Sequence, residues 1–346
     1  MADVQLGVLG ACFVTASSIS LVLTRADAGT AGVALSFAMT FRRTMTRLLQ
    51  RINVIEAGLQ NVKRIDDYSR IQQEPTSEVD VPDSWPAQGR IQFKGLTAGY
   101  HSELPAVLHN LTFTVEPGEL VGVVGRTGAG KSSLTLALTR LIGVREGSIL
   151  IDGFDISTIK LPLLRHRILV IPQDPHLFRG TLRSVLDPDG TYQDQELLGA
   201  LSRVQLRTDN IHDASQLSDL SFVIEDGGRN ISQGQRQILY LAKALLTRKR
   251  IIVMDEATSA VDMETDLNMQ SAIRNELSAA TVLVVAHRLA TIADFSKILV
   301  LDHGKGVEFG TPKDLYNQKG MFWKLVQHSS DKESLVDTIM GTSKPT

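Results

Sequence analysis

The sequence predicts an α/β fold: a mainly parallel sheet with helices, an antiparallel β edge and an inserted α-helical subdomain, preceded by α-helical membrane segments. Three observations carry this. Short continuous apolar runs alternate with helical patterns from Arg90 onward, as in βα units whose strands are buried on both faces. One such run, "LVGVV", opens into the glycine-rich stretch "GRTGAGKSS" (125–133). The N-terminal residues, unlike all that follow, form a long uncharged stretch.

Length and charge bound the rest. A chain of 346 residues has room for one large or two ordinary domains, and its net charge of -2 argues against a nucleic-acid carpet, so no nucleic-acid partner is expected. Cys12 is the only cysteine, which excludes both a disulfide framework and a Cys-based zinc site.

Taken in order, "VQLGVLGACFVTASSISLVLT" (4–24) holds no charged residue and is long enough to span a membrane. The rival reading is a cleaved signal peptide, which needs a basic start and a short apolar region, whereas Asp3 precedes a long one. The spanning helix is preferred. "AGTAGVALSFAMTF" (28–41) is too short to span by itself, and it runs into Arg42, Arg43, Arg47 and Arg51, the pattern of a cytoplasmic flank. Leu48, Ile52, Ile55, Leu59 and Val62 then recur at steps of four and three. That is the seam of a packed helix, either one leaving the membrane or an ordinary core helix. "QQEPTSEVDVPDSWPAQG" (72–89), with three prolines among polar residues, reads as a linker. The domains expected are therefore a membrane-associated segment (1–71), the linker (72–89), an α/β domain (90–330) and a polar tail (331–346).

Within the α/β domain, "RIQFKGLTAGY" and "LHNLTFTVEPGE" read as antiparallel edge strands, and "LVGVVG", "ILVIPQ", "RIIVMDE" and "TVLVVAH" as buried parallel ones. Residues 175–245 lack strand runs and read as the helical insert.

The chemistry lies at the ends of those runs. The pattern G-x-x-x-x-G-K-[ST] places Gly125, Gly130, Lys131 and Ser132 where a strand turns into a helix. Backbone N–H groups and the positive helix end then converge on one point, a phosphate cradle. Gly128 lets the backbone approach closely, Lys131 reaches the β/γ-phosphates, and the Ser132 hydroxyl can ligate Mg²⁺. "RIIVMDE" ends in Asp255, suited to holding Mg²⁺ through water, and Glu256, suited to orienting or deprotonating an attacking water. A helix-capping acidic pair is the bland alternative. Gln173 stands at another strand end, where an amide can touch Mg²⁺ or the water, and His287 at a third, a donor for a γ-phosphate. "ISQGQRQ" (231–237) opens an apolar-periodic helix, so Ser232 and the Gly234 amide form a second anion-binding point. Residues at that place need not reach their own phosphate loop.

The ordered set "GRTGAGKSS", "IPQDP", "ISQGQRQ", "VMDEATSAVD", "VVAHR" resembles the ATPase domain of ABC transporters, with its Walker A, Q-loop, signature, Walker B with D-loop, and switch histidine. The resemblance implies a P-loop NTPase core with ATP and Mg²⁺ as cofactors. It implies that Tyr100 stacks on adenine and that Gly125, Arg126, Thr127, Gly128, Ala129, Gly130, Lys131, Ser132 and Ser133 hold the phosphates. It makes Ser132, Gln173 and Asp255 the Mg²⁺ residues, Glu256 the catalytic base, Gln173 the coupling glutamine and His287 the γ-phosphate switch. Ser232, Gly234 and Gln235 would close over ATP held by a partner's loop, with Asp262 in the dimer contact.

"RGTLRSVLDPDG" and "VIEDGGRNISQGQRQ", with the N-terminal helix, look like the second nucleotide-binding domain of the C subfamily, the multidrug-resistance-associated type, and the end of its preceding membrane domain. The signature departs from the commonest "LSGGQ" at Ile231 and Gln233 but keeps Ser232 and Gly234. The resemblance implies an integral membrane protein with a cytoplasmic ATPase domain. Its partners would be a second ABC ATPase domain, further transmembrane helices and the lipid membrane. A complete exporter of this subfamily has two membrane domains and two ATPase domains. This chain, with two membrane helices at most, would be the end of a longer protein, a truncated product or a subunit needing partners.

Overall fold

The computed structural model describes residues 2–71, 73–74, 79–101, 103–204, 217, 219–255, 263–286, 288–329 and 331–341. Glu256, Asp262 and His287 lie outside the described residues. The chain divides into two compact units, the first ending at Pro75.

The first unit is a pair of helices, α1 (Ala2–Leu23) and α2 (Ala28–Ser69). Asp27 starts the second by accepting the Thr30 N–H (3.1 Å) and its hydroxyl (2.6 Å), which satisfies an orphan donor of the first turn. Phe13 and Phe41 meet with ring centroids 5.4 Å apart. The uncharged stretch, the arginine flank and the apolar stripe are thus one uninterrupted helix of 42 residues. Leu48, Ile52, Ile55, Leu59 and Val62 are all exposed. Among the described residues no helix is long and apolar enough to cross a membrane. The Thr15, Ser17 and Ser18 hydroxyls of α1 donate to the carbonyls four residues back at 2.8 Å each.

In the second unit a six-stranded sheet runs in the order β12-β11-β3-β10-β9-β6. Its strands are β3 (Leu120–Gly125), β6 (Ile168–Ile171), β9 (Ile251–Asp255), β10 (Thr281–Val285), β11 (Lys297–Asp302) and β12 (Lys305–Gly310). All are parallel except β12, which pairs antiparallel with β11. The continuous apolar runs are explained by burial on both faces. Ile251 and Val253 join a core shared with Phe93, Val121 and Leu134, while Ile252 and Met254 join the core under the helical insert with Leu241 and Leu245.

The two expected antiparallel strands, β1 (Ile91–Gly99) and β2 (Leu108–Val115), are present and paired, but they are not an edge of the parallel sheet. They form a separate sheet, β2-β1-β4-β5, with β4 (Gly143–Ile151) and β5 (Phe154–Asp155). The alternating burial of β2 shows why: only one of its faces enters the core. Helix α3 (Lys131–Leu138) follows β3, and α4 (Leu161–Arg167) precedes β6. The insert holds α5 (Leu182–Leu186), α6 (Asp194–Val204) and α7 (Gln233–Thr247). It also contains one short pairing that sequence patterns are too brief to signal, β7 (Gly180–Thr181) with β8 (Val223–Ile224). Helix α8 (Met263–Glu276) lies between β9 and β10.

Described residues of the expected linker and of the expected tail pack into this unit. Trp85 is 2% exposed, its indole N–H donates to the Ile151 carbonyl (3.1 Å), and the Asp152 carboxylate accepts the N–H groups of Gln88, Gly89 and Arg90. After α9 (Pro312–Asn317) and α10 (Met321–Gln327), residues of the expected tail form α11 (Lys332–Met340). Leu335 and Ile339, four apart on one face, are buried in the core.

Candidate functional site

Strands β3, β10, β9 and β6 are neighbours and parallel, so their carboxyl ends lie along one edge of the sheet. That edge is where open α/β sheets bind ligands. The segments leaving it are 126–130 after β3, Pro172 and Gln173 after β6, and those that begin with the undescribed Glu256 and follow Ala286.

The glycine loop is built as its sequence predicts. Gly125 is packed so tightly that a Cβ there would stand 2.2 Å from the Leu301 carbonyl oxygen. Gly128, at φ 82°, has nothing within 4 Å of where a Cβ would stand, and its positive φ is one that glycine adopts without strain. Lys131, the first residue of α3, is 7% exposed, and its Nζ donates to the carbonyls of Gly125 (3.0 Å) and Arg126 (3.4 Å). The ammonium is thereby held across the mouth of the loop. The backbone N–H of Gly304, in the turn between β11 and β12, donates to the Ala129 carbonyl (3.0 Å) and supports the loop from behind. Sequence reading did not single out this support, although "DHGKG" after the apolar run "KILVL" marks the turn.

Two further expected residues, Asp255 and Tyr100, meet the loop. Ser132 Oγ is 3.2 Å from Oδ1 of Asp255, the last residue of β9. The hydroxyls of Tyr100 and Ser133 are 3.1 Å apart, which sets the half-exposed Tyr100 ring beside the start of α3. Arg126 and Thr127 are exposed on the loop, and Ala129 is buried behind it. Gln173 stands exposed two residues beyond β6.

Ser232, Gly234 and Gln235 are at the start of α7. Ser232 caps the helix by accepting the Gln235 N–H (3.1 Å), while the Gln235 side chain accepts the Ser232 N–H (2.8 Å). Among the described residues no hydrogen bond joins these three to the loop 125–133. Nor is there any group of three or more His, Cys, Asp or Glu side chains that could hold a metal ion. The oxygen pair of Ser132 and Asp255 fits a different arrangement, a small divalent cation completed by phosphate oxygens and water.

Sheet, loop and strand-end carboxylate define an α/β protein of the P-loop nucleotide-binding class. Comparison with known proteins narrows this: residues 108–259 match the ABC transporter family. ATP-binding cassette sub-family C member 2 of Rattus norvegicus is 43% identical over 94% of this chain and 21% of its own length. A pleiotropic ABC efflux transporter of multiple drugs, YBT1, of Candida glabrata is 38% identical over 96% of this chain and 22% of its own length. The solved structure of a bacterial Atm1-family ABC exporter with ATP bound superposes with a TM-score of 0.71 at 28% identity, covering 86% of this chain and 52% of that one. The chain thus carries an ABC transporter ATPase domain, consistent with one of sub-family C. It spans about a fifth of the length of the curated relatives it matches.

Proposed function

We propose that this chain binds and hydrolyses ATP, and that it does so as the nucleotide-binding part of a membrane-embedded ABC exporter. The observation that carries the reading is the approach of Ser132 Oγ to Asp255 Oδ1 beside the loop spanned by Lys131. In it, the loop amides and Lys131 hold the ATP phosphates, Ser132 and Asp255 hold Mg²⁺ with help from Gln173, and Tyr100 stacks on adenine. Mg²⁺ bound there would neutralise charge developing on the transferred phosphoryl group. Glu256 orients and deprotonates the attacking water, and His287 donates to the γ-phosphate. Among the described residues the capped end of α7 makes no bond to its own loop, which supports its closing over nucleotide held by a second ABC ATPase domain.

In this reading residues 1–71 belong to a membrane domain, supplied mostly by other helices, 90–330 form the ATPase domain on the cytoplasmic side, and 175–245 form its helical subdomain. Hydrolysis by the assembled dimer tests it: Glu256→Gln should abolish phosphate release while preserving ATP binding, and unchanged turnover would refute it. A second reading, an ATP-dependent clamp that docks on a partner without turnover, is supported by the same unconnected signature end. Stoichiometric ATP binding without phosphate release in the dimer would favour it.

A further inference from the structure

Where β4 pairs with β1 just before Tyr100, β4 carries one residue more. Thr97 faces Glu146 and the next residue, Ala98, faces Val144, so Arg145 is the extra residue of a β-bulge. A bulge leaves its extra residue out of the ladder and re-aims its side chain. The Arg145 guanidinium comes over Gly99, where a Cβ would stand 3.0 Å from Nη2. Nη2 donates to the His101 carbonyl at 2.6 Å and to the Leu104 carbonyl as well. The Leu104 N–H donates to the same His101 carbonyl (3.1 Å), so both acceptors belong to one turn. Among the described residues these two main-chain carbonyls are the hydrogen-bond partners of Arg145, and the bonds are charge-assisted. They fix backbone rather than another side chain.

Tyr100 is the residue between Gly99, under the guanidinium, and His101, bound by it. It is 57% exposed, and its hydroxyl stands 3.1 Å from Oγ of Ser133, which is 5% exposed in α3. The residue is therefore anchored at both ends, its main chain beside the Arg145 turn and its hydroxyl on the helix that follows the phosphate loop. An exposed aromatic ring held in this way has its ordering cost met before a ligand arrives.

We propose that Arg145 is a positioning residue for base recognition: by fixing the turn from His101 to Leu104 it presets the Tyr100 ring that stacks on adenine. It acts on the base and not on the phosphates, since its bonds end on the segment after β1 and among the described residues none reaches 125–133. This rests on the ATP-binding reading above, with Tyr100 as the adenine contact.

The test is equilibrium binding of Mg-ATP and of magnesium tripolyphosphate to the whole chain, for wild type, Arg145→Met, Tyr100→Ala and the double variant. Methionine keeps an unbranched side chain and removes the donor. Arg145→Met weakens ATP binding by about fivefold or more, while tripolyphosphate, which has no base, binds within about twofold of wild type. Tyr100→Ala weakens ATP binding at least as much, and adding Arg145→Met to it changes the affinity by less than about twofold. An equal loss for both ligands in Arg145→Met overturns the inference, because it marks lost charge or a disturbed fold. Unchanged ATP affinity overturns it too, as does a fully additive loss in the double variant, which would bypass Tyr100. Each of these leaves ATP binding standing. Wild type that binds neither ligand overturns the ATP reading and this inference with it.

Discussion

Ser132 Oγ lies 3.2 Å from Asp255 Oδ1, although 123 residues separate them in the chain. Parallel pairing of β3 and β9 through their common neighbour β10 brings the two together, because all three strands end at the same edge. If this oxygen pair holds Mg²⁺, Asp255→Asn weakens Mg-ATP binding by about tenfold or more. Binding of ATP measured in EDTA stays close to wild type. Equal losses with and without Mg²⁺ would assign Asp255 a structural role only.

Gly125→Ala puts a methyl group 2.2 Å from the Leu301 carbonyl oxygen, a backbone atom that cannot rotate away. The expected cost is about 3 kcal/mol, read as a lowered urea midpoint with unchanged slope. Gly128→Ala meets nothing within 4 Å but sits at φ 82°, so its smaller penalty is conformational.

Trp85→Ala removes a side chain that is 2% exposed and its bond to Ile151. A loss of about 3–5 kcal/mol is expected in the ATPase-bearing unit, measured by chemical denaturation. An effect below about 1 kcal/mol would mean that the segment before Arg90 is an independent linker after all.

Leu335→Ala opens a gap beside Phe322 and Leu315 in the core under α11, with an expected cost of about 2–5 kcal/mol. Ser334→Ala, on the exposed side of the same helix, should change stability by less than about 0.5 kcal/mol.

Asp187 is a buried carboxylate whose burial raises its pKa, but the N–H groups of Tyr192 (2.8 Å) and Thr191 (3.0 Å), together with Arg183, outweigh this and lower it overall. A carboxyl depressed in the folded state contributes stability that is present above its unfolded value of about 3.9 and is lost as pH falls through the folded value. Asp187→Asn should therefore lower stability near neutral pH and flatten the dependence on pH below about 4. Parallel acid limbs for variant and wild type would contradict this assignment.

Much of the site was legible because it depends on local rules. Glycines where a strand meets a helix, a lysine at the first helical position and a carboxylate closing an apolar run are visible within windows of ten residues. Ser232 and Gln235 likewise follow capping-box spacing. The hydrogen bonds from Gln237 to the Gln173 carbonyl (3.3 Å) and from Tyr240 to the His176 carbonyl (3.1 Å) were not legible, since both residues sit within "ILYLAKALL" and its approach as ordinary members of an amphipathic helix. Nothing in their spacing states that they bond a carbonyl some sixty residues away.

Similar reasoning separates the sheets. The doubly buried runs of β3, β6, β9 and β10 revealed parallel strands from composition alone, because a strand covered on both faces has no polar side. That β1 and β2 pair with β4 in a sheet of their own depends on long-range register, which local pattern does not encode. Trp85 and Leu335 make the same point at the two ends. Each is a single apolar residue or short stripe in polar surroundings, and it joins the core only because the folded domain leaves a space of its shape there. The sequence by itself therefore determined the loop, its lysine and the class of chemistry. Tertiary packing alone decided which distant groups meet, because hydrophobic burial and hydrogen bonding between remote segments act only once the chain has closed around them.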